Sequence, residues 1–364
     1  MRPQHLVTHP RVLHPGAWWL WALGLAAAAS RTTNPVPLLL VVAVTWFVVA
    51  ARRSDAPWTR SYAAFFRLSL VVIAIHVVFQ ALLSTYAEGA TVLFTLPELP
   101  LPEGVGIKVG GAVTLEAVLS AVYYGLQLAA IFCCIGAANA LGSARRLLRY
   151  VPAALYEIGI ACVIALTFAP QLVTDAGRVR AAARLRGGPG GVRGVGRLAM
   201  PVVEGALERS VALAAAMDSR GYGRTTTHSV AQRRTTSALV LTGVFGLLLG
   251  VYGLLTAHSF GLPFLLAGLA LGVGGLVVGG RRTGRTRYRP DPWALPELLV
   301  VLSGLTAGVL TFLEAARSPE LLTLASPTAV PPVPVLTCLG ILVAALPAVL
   351  APPAPASPGR GDRR

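Results

Sequence analysis

Two short stretches hold most of the chemistry that the residue types of this chain allow. One reads Ala182-Ala183-Arg184-Leu185-Arg186-Gly187, and the other Ala216-Met217-Asp218-Ser219-Arg220-Gly221. In each, an Ala stands four residues before an Arg, and a Gly follows at once. On a helix, that spacing sets the small residue one turn behind the guanidinium on the same face. The Gly lets the chain leave the last turn in a left-handed conformation. The product is an Arg at a helix tip with room behind it for close approach. A guanidinium pairs with carboxylates or carbonyls through a fixed fork of donors. The chemistry predicted is therefore docking rather than bond-making. A single such end says little, because Arg near a helix C-terminus also complements the dipole and a following Gly is common. Two in one segment form a pair. The candidate docking residues are Ala182, Arg184, Arg186, Gly187, Ala216, Asp218, Ser219, Arg220 and Gly221.

Other chemistry is missing. ATP hydrolysis on this chain would need a Gly-x4-Gly-Lys-[Ser/Thr] loop. The single lysine, Lys108, sits in Gly106-Ile107-Lys108-Val109 and fails that pattern. Any ATPase must be a separate subunit. There is no His-Glu-x-x-His, and His76 is the only His clearly inside an apolar run. It reads as a hydrogen-bonded structural residue. Cys133, Cys134, Cys162 and Cys338 lie in apolar stretches without the spacing of a zinc site or a disulfide framework. They read as small buried residues. No metal site and no cofactor is expected. Glu116 and Glu314 stand near the ends of apolar runs, where an interface is expected, and no row of charges marks an ion pathway.

The elements that must position the two Arg tips follow from composition. The chain has 364 residues, 55% hydrophobic and 13% charged, with a mean hydropathy of +0.67. Soluble domains carry roughly 25% charged residues, so a soluble enzyme is excluded. The net charge is +16. Its basic stretches lie between apolar runs, as in cytoplasmic loops of membrane proteins, so nucleic acid is not expected as a partner. The apolar runs at 18–30 and 36–51 are broken at Asn34-Pro35 and read as a tight helical hairpin. Further spans are expected at 63–85, 113–141, 237–257, 262–280, 294–316 and 330–350, about eight in all by the usual length requirement. The stretch 151–174 is apolar too. Basic residues flank it, and Glu157 and Pro170 interrupt it, so it reads as a cytoplasmic-side helix, with a re-entrant segment as the alternative. Every basic loop then falls on one side, with both termini cytoplasmic and the cell (inner or plasma) membrane as location. The fold class expected is an all-α polytopic membrane protein. Its parts are an N-terminal membrane block (1–141), a cytoplasmic segment (142–235), a C-terminal membrane block (236–351) and a tail (352–364).

Within the cytoplasmic segment, one helix is expected to stop at Gly187-Gly188-Pro189-Gly190-Gly191. A loose loop with Arg193, Gly194 and Gly196 follows. Pro201 is expected to open the second helix as a first-turn proline, which ends at Gly221-Tyr222-Gly223.

Five stretches together resemble the transmembrane coupling subunit (T component, EcfT/CbiQ type) of energy-coupling-factor importers. These are Leu13-His14-Pro15, Asn34-Pro35, Phe168-Ala169-Pro170-Gln171-Leu172, Ala181 to Gly187, and Ala216-Met217-Asp218-Ser219-Arg220-Gly221-Tyr222. The likeness covers roughly residues 10 to 255. Such importers are ABC transporters for vitamins and transition-metal ions. The resemblance implies two coupling helices whose ends dock into two ABC-type ATPase subunits, with Arg186 and Arg220 as the docking arginines. It also implies a substrate-binding membrane S subunit as partner, and no catalysis by the chain itself. Leu185 departs from the family, which usually has a small residue there. The spans beyond residue 258 also exceed the usual number. The competing readings are a self-contained secondary transporter or channel, which would call for inverted repeats, an intramembrane enzyme, and a membrane anchor for a regulatory partner.

Overall fold

The structure is a computed structural model and describes residues 13–52, 61–83, 91–99, 109–142, 144–150, 156–185, 192–222, 230–256, 259–281, 293–324 and 326–352. The helices are α1 (Pro15–Ser30), α2 (Pro35–Arg52), α3 (Ser61–Leu83), α4 (Leu115–Leu141), α5 (Ala144–Leu147), α6 (Tyr156–Leu185), α7 (Val192–Ser219), α8 (Val230–Leu255), α9 (Gly261–Arg281), α10 (Leu295–Arg317), α11 (Val335–Val343) and α12 (Pro347–Leu350). A two-stranded antiparallel sheet, β1 (Val92–Leu99) with β2 (Val109–Thr114), precedes α4. The protein is thus a helical membrane protein. The chain divides into two compact units, residues 1–147 with 289–364, and residues 148–288.

Among the described residues seven helices are long and apolar enough to cross a membrane: Pro35–Arg52, Tyr62–Leu83, Leu115–Leu141, Ile158–Leu185, Arg234–Leu255, Gly261–Gly279 and Leu295–Arg317. Three differences from the expected spans have local causes. Pro170 does not interrupt α6, which runs through it. The stretch 330–350 is not one helix. Its residues Pro331, Pro332 and Pro334 lack the amide donors a helix needs, and α11 is nine residues long. The loop expected before the fourth span holds the sheet, and Thr114 rather than Val113 starts α4 as its N-cap, with Oγ1 accepting from the Ala117 amide at 3.3 Å.

In the first unit, α1 supplies much of the core. It has 16 residues and is apolar on every side, with Leu20 and Leu23 left exposed on its outer face. It packs on α10 and α4. His14 caps its start by accepting the Gly16 amide on Nδ1 at 3.1 Å, and the imidazole stands against Trp293 at 4.8 Å between ring centroids. Trp21, Leu25, Leu38, Val41, Val48 and Ile341 fill the interior, and the Trp21 indole N–H donates to the Ala344 carbonyl at 3.0 Å. Glycine brings α1 against α10. A Cβ on Gly24 would lie 2.2 Å from the Gly304 carbonyl oxygen, and one on Gly304 would lie 2.5 Å from Trp21 Cα. No side chain fits that crossing.

The turn between α1 and α2 is a polar knot. Asn34 is fully buried. Its Nδ2 donates to the carbonyls of Leu321 (2.9 Å) and Pro332 (2.7 Å), and its Oδ1 accepts the Val36 amide at 3.0 Å. Thr32 Oγ1 donates to the Leu322 carbonyl at 2.8 Å, and the amides of Thr33 and Asn34 point to that same oxygen. Two carboxylates and one guanidinium complete the ties. Glu314, expected near an interface, is buried on α10 and accepts the Thr337 amide (2.7 Å) and the Leu336 amide (3.4 Å). It caps α11, whose own N-cap residue, Pro334, offers no side-chain acceptor. Glu297 accepts the Ala294 amide at 3.1 Å and closes the start of α10. Arg52 donates to the Pro347 and Val349 carbonyls.

In the second unit, α8 and α9 form a close pair. A Cβ on Gly250 would lie 2.4 Å from the Leu265 amide nitrogen, and one on Gly268 would lie 2.4 Å from that of Leu247. The helices α6 and α7 pack on each other.

Asn34→Ala should weaken the first unit. It strands two buried carbonyls, at a cost of at least ~2 kcal/mol. For a domain of this size that is a fall of about 5 °C in the thermal midpoint of detergent-solubilised protein. An unchanged midpoint would mean that the knot is not a structural tie.

Candidate functional site

The two Arg-bearing ends belong to α6 and α7, the longest of the described helices at 30 and 28 residues. At ~1.5 Å per residue each is over ~40 Å long. The second helix begins at Val192, so Pro201 lies inside it rather than at its first turn. Gly194 and Gly196 are helical too, not part of a loose loop. An interior proline loses one backbone hydrogen bond and crowds the carbonyl four residues back. The long flanking stretches on both sides of Pro170 and Pro201 carry the helix past it.

The end of α7 is closed locally. The Tyr222 amide donates to the Met217 carbonyl at 3.0 Å, and the Gly221 amide to the Asp218 carbonyl at 2.8 Å. Gly221 has φ +73°. Together these make a Schellman motif with the Gly at the left-handed position. Ser219 Oγ donates to the Ala216 carbonyl at 3.0 Å. Arg220 is the capping residue of the turn and, like Ala216, Asp218 and Ser219, it is exposed. Among the described residues neither Arg220 nor Asp218 takes part in an ion pair. The guanidinium is therefore presented at the tip with its donors open.

At the end of α6, Ala182 and Arg184 are exposed, and Leu185 is 90% exposed. Arg186, Gly187 and the Gly-Pro run after them lie outside the described residues, as do Lys108 and Gly223.

Between the two ends lies a contact that spacing did not reveal. Asp175 on α6 forms ion pairs with Arg178 on its own helix, at 3.5 Å, and with Arg209 on α7, which is the closer partner. The Arg209 Nε–H also donates to the Gly205 carbonyl at 2.9 Å. The signal available in the sequence was an acid on one helix and a base on the next. Nothing local said that these two would meet. Farther up α7, Met200, Val203, Leu207 and Val211 recur at helical spacing and are all exposed, an apolar stripe without a cover.

His76, singled out as the His within a span, sits on α3. Its Nδ1–H donates to the Val72 carbonyl at 3.1 Å. It lines a shallow cavity of about 330 Å³ with Gln80, Tyr124 and Gln127. Among the described residues no three His, Cys, Asp or Glu side chains converge as metal ligands would.

The family model described as cobalt transport protein (CbiQ) matches residues 7–230. That is more than half of the chain, and it takes in α1 to α7 with both Arg-bearing ends. No curated protein and no solved structure matches. On that match and on its apolar helices, the chain belongs to the CbiQ family of cobalt transport proteins and is a multi-pass membrane component of a transporter.

Proposed function

We propose that the chain is the transmembrane coupling subunit, or T component, of an ATP-driven importer of the energy-coupling-factor type. In this reading its cargo is a vitamin or a transition-metal ion. Two cytoplasmic ABC-type ATPases dock on the ends of α6 and α7, and a substrate-binding membrane S subunit is the third partner. The chain lies in the cell membrane with both termini in the cytoplasm, and catalyses nothing itself. The observation that carries the reading is the end of α7, where a Schellman turn holds the exposed Arg220 at the tip and no acid among the described residues pairs with it.

The physics of that tip fits a protein groove. A free guanidinium on a rigid helix loses little conformational freedom on binding, and its fork pairs with a carboxylate or with backbone carbonyls. Ala216, one turn back, leaves space for the wall of the groove. Asp218 and Ser219 add an acceptor and a hydroxyl beside it. Arg186 with Gly187, Ala182 and Arg184 is assigned the same role at the end of α6. The uncovered apolar stripe on α7 suits an apolar partner surface, and the S subunit is the partner assigned to it.

The mechanism follows from rigidity. Nucleotide binding closes the ATPase pair. The tips held in the grooves move with it. Helices of this length transmit the displacement along their axes, and the S subunit packed on them is reoriented. The substrate enters through that partner, so the coupling subunit needs no cargo ligands of its own.

Exchange of Arg186→Glu together with Arg220→Glu should abolish co-purification of the ATPases from detergent extracts, with the amount of protein in the membrane unchanged. Wild-type recovery of the ATPases would sink the docking assignment. Arg220→Lys keeps the charge and loses the fork, and should weaken capture roughly tenfold, or ~1.4 kcal/mol. Gly221→Ala forces a side chain into the left-handed region at ~1–2 kcal/mol. Amides from Met217 to Tyr222 should then exchange with deuterium about 5- to 30-fold faster, and exchange at the wild-type rate would show that the turn tolerates a side chain.

A further inference from the structure

The pairing of α6 with α7 has a regular geometry about Asp175 and Arg209. Asp175 stands eleven residues before Arg186, and Arg209 stands eleven residues before Arg220. The described ends of the helices, Leu185 on α6 and Ser219 on α7, each stand ten residues past the ion pair, ~15 Å at ~1.5 Å per residue. The two helices meet, through this pair, at a point equidistant from their ends.

An apolar seam accompanies the pair: Leu172 and Val179 on α6, and Ala206 and Leu213 on α7, stand three or four residues from Asp175 and Arg209 and are half-buried. Val173, Leu207 and Val211 lie two positions from the pair, on the outer face of each helix, and are exposed. A Cβ on Gly177 would meet nothing within 4 Å, and one on Gly205 would meet only the Arg209 side chain, at 3.8 Å. The close glycine approach that locks α8 to α9 is thus missing at this level. The Asp175 side chain is 21% exposed and that of Arg209 39%. Arg209 is steadied by its bond to the Gly205 carbonyl, and Arg178 approaches the other carboxylate oxygen. A partly covered pair of this kind is worth more than a fully exposed one.

From this we infer that Asp175 and Arg209 are positioning residues. They clasp the two coupling helices at one crossing point, so that the tips at Arg186 and Arg220 keep a fixed separation and move as one body. The inference rests on the docking role proposed for those tips. Without the clasp each helix would follow its own ATPase. Docking and ATP hydrolysis would continue, but closure of the pair would no longer drive one concerted movement. The clasp gives the coupling subunit a reason to carry two long helices rather than two separate hooks.

The test uses the whole complex, purified from its host and placed in nanodiscs or liposomes. Asp175→Asn and Arg209→Gln are compared with the exchanged pair Asp175→Arg with Arg209→Asp. Nitroxide labels at Ala181 and Ala215, in a background free of the native cysteines, report the separation of the helix ends. The single variants should keep their bound ATPases and hydrolyse ATP, but take up at least fivefold less substrate per ATP. Their label distance distribution should broaden. The exchanged pair should restore both, which a merely structural loss of charge would not do. An unchanged distance distribution in Asp175→Asn, or uptake per ATP at the wild-type level, would overturn the clasp. A wild-type chain that captures no ATPase would instead refute the docking reading, and the label distances in the chain alone would still decide the clasp.

Discussion

Backbone amides and carbonyls that leave a helix inside a membrane protein must find partners within the protein, because hydrocarbon offers none. The first unit meets this demand at one residue above all. Asn34 closes the turn between α1 and α2 and reaches two carbonyls that lie 287 and 298 residues away in sequence. The Leu321 carbonyl ends a single 3-10 turn (Pro319–Leu321) after α10, and the Pro332 carbonyl lies in the stretch that the prolines at 331, 332 and 334 keep from being helical. A helix there would satisfy itself. Because it is not one, the carboxamide of Asn34, the hydroxyl of Thr32 and the carboxylate of Glu314 supply the missing bonds. The short, largely buried α1 depends on these ties, since it is held at its start by His14 and at its end by this knot.

Close packing depends on a second constraint. Without a hydrophobic force between helices in lipid, contact is gained by letting backbones approach. Gly24 with Gly304, and Gly250 with Gly268 across the second pair, are positions where any side chain would collide with backbone. In both units the closest contacts are thus made by residues with nothing to contribute except their smallness.

The apolar runs made most of the fold legible, because a run of about 20 apolar residues has few alternatives. The parts that stayed hidden depend on distant partners. Asn34-Pro35 was visible as a break but not as a hub. Glu314 was visible as a charge near a helix end, and its role as the cap of α11 needed the neighbouring helix. The sheet before α4 was hidden by Pro97 within β1 and by Gly110 and Gly111 within β2, which blur a strand pattern. Pro170 and Pro201 misled in one direction, since proline in a long helix is a local cost that the rest of the helix can outweigh. The end of α7 was readable because a Schellman turn is made from six consecutive residues. The ion pair of Asp175 with Arg209 was not, because its partners stand 34 residues apart on different helices.

These two kinds of contact differ in what they permit. The ties of the first unit are buried, several at a time, and directed at backbone. Any displacement would break more than one of them at once, which favours a single arrangement. The helices α6 and α7 are joined differently. They are long, and a half-buried apolar seam with one partly covered ion pair joins them. A charge pair keeps its attraction over small changes of angle, whereas a glycine crossing tolerates almost none. The contact between α6 and α7 thus differs in kind from the interlocked backbone of α1 with α10 and of the α8–α9 pair: it depends on two side chains rather than on the absence of them.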